Sequence, residues 1–144
     1  MKTVYEILQK KGDEVWVVGP SDTIYGALEL MREKNTGAVL VVEADILLGI
    51  FSERDYARKV VLEGKASRTT AVRDAMTTKV AYVRPHQTVE ECMALMTEKR
   101  IRHLPVFEGE KLIGVISIGD VVRSKISEQE FIIEQLENYI TGYR

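Results

Sequence analysis

Apolar and polar positions alternate between two rhythms along the chain. Short apolar runs at 15–18, 38–42, 47–51, 80–83, 104–107 and 112–117 have strand length. Between them the spacing widens to that of a helix. Ile24, Ala27, Leu28 and Met31 recur at i, i+3, i+4 and i+7, and Val89, Cys92, Met93 and Met96 do the same. Thr23 and Thr88 each stand three residues after a proline, a favourable helix entry. Turns at 43–45 and 108–110 separate the paired runs, and further helices begin near 52–55 and 118–120.

The order of elements repeats because the sequence does. Shifted by 65 positions, Val15 meets Val80, Pro20 meets Pro85 and Thr23 meets Thr88, with no gap. Gly49 then meets Gly114, Ser52 meets Ser117, Asp55 meets Asp120 and Arg58 meets Arg123. Self-similarity at a fixed period marks a duplicated structural unit. A helical piece precedes each copy, at 4–9 and 72–76. Its offset is 68, so the first copy carries about three extra residues near 10–12. Each copy reads β-α-β-β-α, and a unit of about 60 residues is marginal alone. The predicted fold is α/β, two pseudo-symmetric repeats packed sheet to sheet plus a C-terminal helix. The expected boundaries are 1–62 for repeat 1, 63–71 for a polar linker, 72–126 for repeat 2 and 127–144 for an amphipathic helix. Ser127 and Glu130 have capping-box spacing for that helix, and Ile132, Leu136, Tyr139 (or Ile140) and Tyr143 form its apolar stripe.

Composition narrows the function. The 144 residues carry 20 Lys+Arg against 22 Asp+Glu, a net charge of -2, so no global basic excess draws nucleic acid or anionic lipid. One cysteine, Cys92, excludes an intrachain disulfide framework and a multi-cysteine zinc site. No apolar run is long enough for a membrane span, and charges interrupt any signal-peptide core, so a cytoplasmic address is expected. The Walker P-loop, G-x-G-x-x-G and H-E-x-x-H patterns are absent, and only His86 and His103 could serve as catalytic imidazoles. The expectation is no enzyme and no metal.

Asp55 and Asp120 each follow a hydroxyl, Ser52 or Ser117, by three residues where a strand gives way to a helix. A carboxylate there can accept from both hydroxyls of a ribose, while the serine and the helix N-terminus can donate to phosphate. Plain helix capping is the competing reading of the same residues. Arg54, inside the first Ser-x-x-Asp, is a further candidate for phosphate.

The segments Gly49-Ile50-Phe51-Ser52-Glu53-Arg54-Asp55 and Gly114-Val115-Ile116-Ser117-Ile118-Gly119-Asp120 resemble the G-h-h-[ST]-x-x-D ending of CBS (cystathionine-β-synthase) domains. Arg102-His103-Leu104-Pro105-Val106 resembles the basic, Pro-Val segment of that family, and the tandem resembles a CBS pair, or Bateman module, over residues 2–126. The resemblance implies a stand-alone, non-catalytic regulatory module. It would bind an adenosine-containing ligand (AMP, ADP, ATP, NAD or S-adenosylmethionine) in the cleft between repeats, form a homodimer, and signal energy or redox state to an effector protein. It assigns ribose to Asp55 and Asp120, and phosphate to Ser52, Arg54, Arg102, His103 and Ser117. Adenine falls near Val15 and Trp16 for one cleft and Thr78, Val80 and Tyr82 for the other. The first copy departs from the pattern, with Gly37-Ala38 where the second has Arg102-His103, so two unequal sites are expected. The alternative is a nucleic-acid-binding or purely structural dimeric adaptor with no small ligand; the local basic stretch Arg54, Arg58, Lys59, Lys65, Arg68 and Arg73 bears on the nucleic-acid reading.

Overall fold

The computed structural model describes Lys2–Thr141. Its elements run α1 (Val4–Lys11), β1 (Val17–Val18), α2 (Ile24–Lys34), β2 (Ala38–Glu43), β3 (Ile46–Ser52), α3 (Glu53–Asp55), α4 (Val89–Lys99), β4 (His103–Glu108), β5 (Lys111–Ser117) and α5 (Ile118–Thr141). The architecture is mixed α/β with two small sheets and a long C-terminal helix. Thr23 and Thr88 cap α2 and α4 by accepting the backbone N–H three residues on, each at 3.1 Å. The duplication persists in fine detail. β2 and β3 slip register at Val41/Val42, and β4 and β5 slip at the matching Val106/Phe107.

The chain folds as two compact units, and they cut across the sequence repeats. One unit takes Val15–Val80, and the other takes Met1–Glu14 together with Ala81–Arg144. In the first, Val72 and Ala75 are buried with Ile24, Val39 and Phe51. In the second, Val4 and Ile7 of α1 are buried with Val89, Leu104 and Ile116. The polar linker is held to the first of these units, where Ile24 N–H donates to Thr70 and Tyr25 N–H to Ser67. A glycine makes room for each docked piece. A Cβ on Gly49 would stand 2.6 Å from the Thr77 carbonyl oxygen, and one on Gly114 would stand 2.7 Å from Leu8 Cδ2.

Three expectations change. The strand run at 80–83 shrinks to one parallel bridge, Val83 with Val106. Val83 donates to Pro105 and accepts from Phe107, but the next bond would need an N–H from Pro105, which has none. In the other copy Leu40 N–H makes that bond to Trp16 at 3.0 Å, and β1 forms. The helical piece at 72–76 is one 3₁₀ turn, Val72–Asp74. Finally, the separate C-terminal helix is part of α5, which runs unbroken from Ile118, so Ser127 lies inside a helix rather than capping one. Gly119 is the last breaker before the end of α5, and propagating a helix is easier than nucleating a new one. Tyr143 lies outside the described residues.

Candidate functional site

Each Ser-x-x-Asp segment turns the end of a strand into a helix, and each buries its aspartate. Asp55 is 6% exposed and Asp120 is 8% exposed. The backbone N–H of Ser52 and of Ser117 donates to its aspartate at 3.0 and 2.8 Å, and the serine hydroxyl accepts the aspartate N–H in return. Helix capping is therefore present at both. What else reaches the carboxylate differs between the copies.

Asp55 is surrounded. Besides Ser52, it accepts from Thr77 Oγ1 at 2.9 Å and pairs with Lys59 at 3.0 Å, both at Oδ1. Thr77 also accepts from Lys59, so three side chains close on one carboxylate. Arg54 is exposed on the short α3. Trp16 is half-buried beneath the Lys34 ammonium, 4.7 Å from its ring centroid, and Val15 is also half-buried.

Asp120 is held by one residue from the far side of the sequence and one from its own helix. Lys11 Nζ donates to its Oδ2 at 2.7 Å and to the Val115 carbonyl at 2.6 Å, and Arg123 donates to its Oδ1 at 2.8 Å. Burial works against the charge of this carboxyl. The hydrogen bonds from Lys11 and Ser117 and the Lys11 charge outweigh burial and hold the carboxyl below the usual carboxylate range. The Ser117–His103 register of β4 and β5 brings His103 to the same neighbourhood. Burial, then the Lys11 charge, depress the His103 pKa against the opposing pull of Asp120. Arg102 is exposed beside it.

A cavity of about 280 Å³ opens at Asp120, lined by Lys2, Glu6, Ile7, Lys10, Lys11, Asp120, Arg123, Ser124 and Ser127. α1 supplies one wall and α5 the other. Of the residues proposed from sequence, Asp120 lines this cavity, with Ser117 and His103 beside Asp120 but outside the lining, and Ser52 and Asp55 come together in the other unit. The adenine candidates are scattered. Thr78 is exposed and Val80 half-buried in one unit, while Tyr82 lies in the other, stacked edge-on against Phe107 with Arg84 over its ring.

Sequence reasoning missed Lys11, Lys59, Thr77 and Arg123. Two were within reach, since Asp55–Lys59 and Asp120–Arg123 have i, i+4 and i, i+3 helical spacing. Lys11 lies within the three-residue surplus at 10–12, which gives α1 the extra length to reach Asp120.

The CBS domain family profile matches residues 4–62 and 72–127. The chain belongs to the CBS domain family. A relative of Arabidopsis thaliana, the mitochondrial CBS domain-containing protein CBSX3, is 40% identical, with the match covering 97% of this chain and 72% of that protein. The structure of a protein with CBS domains from Burkholderia ambifaria is 53% identical at a TM-score of 0.86, covering 89% of this chain and 96% of that one. The CBS domain pair of protein MJ0100, solved in complex with 5-methylthioadenosine and S-adenosyl-L-methionine, shares the fold at 19% identity and a TM-score of 0.79, covering 89% and 98%. CBS pairs are regulatory modules. Among the described residues no helix is long and apolar enough to cross a membrane.

Proposed function

We propose that this CBS pair is a non-catalytic cytoplasmic sensor that binds an adenosine-containing ligand, with Asp120 taking the ribose and the surrounding cations the phosphate. One observation carries the reading: a buried carboxylate forms part of a cavity whose rim is basic. A ribose diol needs acceptors, and a carboxylate offers about four lone-pair sites. Ser117, Lys11 and Arg123 use three of those on Asp120. Arg123 is 73% exposed, so it can swing from the carboxylate to a ligand phosphate and vacate an acceptor. The adenosine ligands of the MJ0100 pair support the ligand class. Asp55, enclosed by Ser52, Lys59 and Thr77, is the weaker of the two sites.

The reading extends to assembly. Ile126, Ile132, Ile133 and Leu136 of α5 are each at least half exposed. Basic Arg123 and Lys125 lie in the first half of α5, whereas Glu130, Glu134 and Glu137 lie in the second. A second copy laid antiparallel along α5 would cover the apolar stripe and set opposite charges side by side. Ligand-dependent change at Asp120, where α5 begins, would then reach the dimer and any effector.

Titration calorimetry with AMP, ADP, ATP, NAD and S-adenosylmethionine tests the core of this. Asp120→Ala should weaken the ligand that binds by about tenfold or more, roughly 1.4 kcal/mol per decade. Unchanged affinity removes Asp120 from the site.

A further inference from the structure

The cavity's donors are unequally committed. Lys11 has three N–H donors and spends two, on Val115 and Asp120. Arg123 has five and spends one on Asp120. Lys2 and Lys10 have no ion pair among the described residues, yet both line the same cavity. Four cations therefore face two carboxylates, Glu6 and Asp120, with most of their donor capacity unspent. The volume, about 280 Å³, lies at the low end for small-molecule sites, and the lining has one apolar side chain, Ile7, and no aromatic ring. Such a space suits a sugar and a chain of phosphates, with a base left outside. Gly119 contributes as well: a Cβ there would stand 3.2 Å from an Arg123 terminal nitrogen, so its absence leaves the guanidinium room to move.

We infer that Lys2, Lys10, Lys11 and Arg123 form a polyphosphate-binding subsite, so that this pocket reads the length of a phosphate chain and favours a triphosphate over a monophosphate. The subsite rests on the reading of Asp120 as the ribose end only for its orientation. The cations act on any linear polyphosphate. α1 and the 10–12 surplus give this chain the lysines; the corresponding 3₁₀ turn, Val72–Asp74, has no counterpart to them.

The test is calorimetry in magnesium-free buffer with AMP, ADP, ATP and inorganic tripolyphosphate. Wild type and the variant Lys2→Met/Lys10→Met are compared. Affinity should rise from AMP to ATP by about tenfold or more, and fall steeply with added salt. Tripolyphosphate should bind and compete with ATP. The double variant should weaken ATP and tripolyphosphate about tenfold and AMP by a clearly smaller factor. AMP binding as tightly as ATP, or a double variant that weakens every ligand equally, overturns the subsite and leaves the adenosine reading standing. Tripolyphosphate binding without any nucleotide preference over it overturns the adenosine reading and leaves the subsite. Absence of binding by all four overturns the subsite, and absence of binding by NAD and S-adenosylmethionine as well overturns the adenosine reading.

Discussion

Lys11 and Asp120 lie 109 positions apart in sequence and meet at 2.7 Å. This ion pair ties the end of α1 to the start of α5 and sets the state of the one carboxylate in the cavity that is buried. Lys11 is a third exposed, so its charge is partly screened, whereas Asp120 loses a partner inside the protein if Lys11 is removed. Lys11→Met should destabilise the chain by about 1–2 kcal/mol in urea unfolding. In a double-mutant cycle with Asp120→Asn the two effects should be clearly non-additive. Additive effects would mean that the pair carries no coupling.

Acid should weaken the fold through Asp120. Its carboxyl is held below the ordinary range in the folded chain, so the unfolded chain takes up the proton first as pH falls. The stabilisation is fully present above about pH 4, the unfolded value, and drains away as pH drops through the lower folded value. Asp120→Asn should therefore be less stable at pH 7 and lose less stability between pH 5 and pH 2. Parallel acid limbs for the two proteins would contradict this.

His103 acts in a milder window with the same sign. Burial and the Lys11 charge keep its imidazole neutral to lower pH than in the unfolded chain. Its contribution is present above about pH 6.5 and is lost as pH falls through the depressed folded value. His103→Gln should flatten the stability profile between pH 7 and pH 5, as read by midpoint shifts in urea.

The two matched glycines should not be equally tolerant. At Gly49 an added methyl meets the backbone oxygen of Thr77, at 2.6 Å, while at Gly114 it meets the movable end of Leu8, at 2.7 Å. Gly49→Ala should cost about 1–3 kcal/mol and Gly114→Ala less. Leu8→Ala should relieve part of the Gly114→Ala defect. Relief of equal size by Leu8→Ala in the Gly49→Ala background would show the effect to be nonspecific.

Substituting Ile132→Lys together with Leu136→Lys should convert dimers to monomers in light scattering, and nucleotide affinity should shift with the change, because coupling between ligand and dimer is reciprocal. Wild type that is monomeric at tens of micromolar would end the α5 interface.

Periodicity exposed the duplication, because the 65-residue shift preserves turn residues and apolar faces together. It also located both threonine caps and both Ser-x-x-Asp turns. The missed features are relationships between distant segments. Pro105 shortens a strand because it has no N–H to donate to the Ala81 carbonyl, an effect visible only once the partner strand is known. Lys11 reaches Asp120 because α1 docks on the far end of the chain, which no local pattern announces. The capping box at Ser127 misled for a different reason: the residues before it were already helical, so its side chain had no terminus to cap.

The chain's two ends are joined in one compact unit while residues 15–80 make the other by themselves. During synthesis the inner stretch can fold as soon as it clears the ribosome. α1, made earlier, must wait unpartnered until α4, β4 and β5 emerge. α1 is thus made before the elements it packs on and is among the last to find its place.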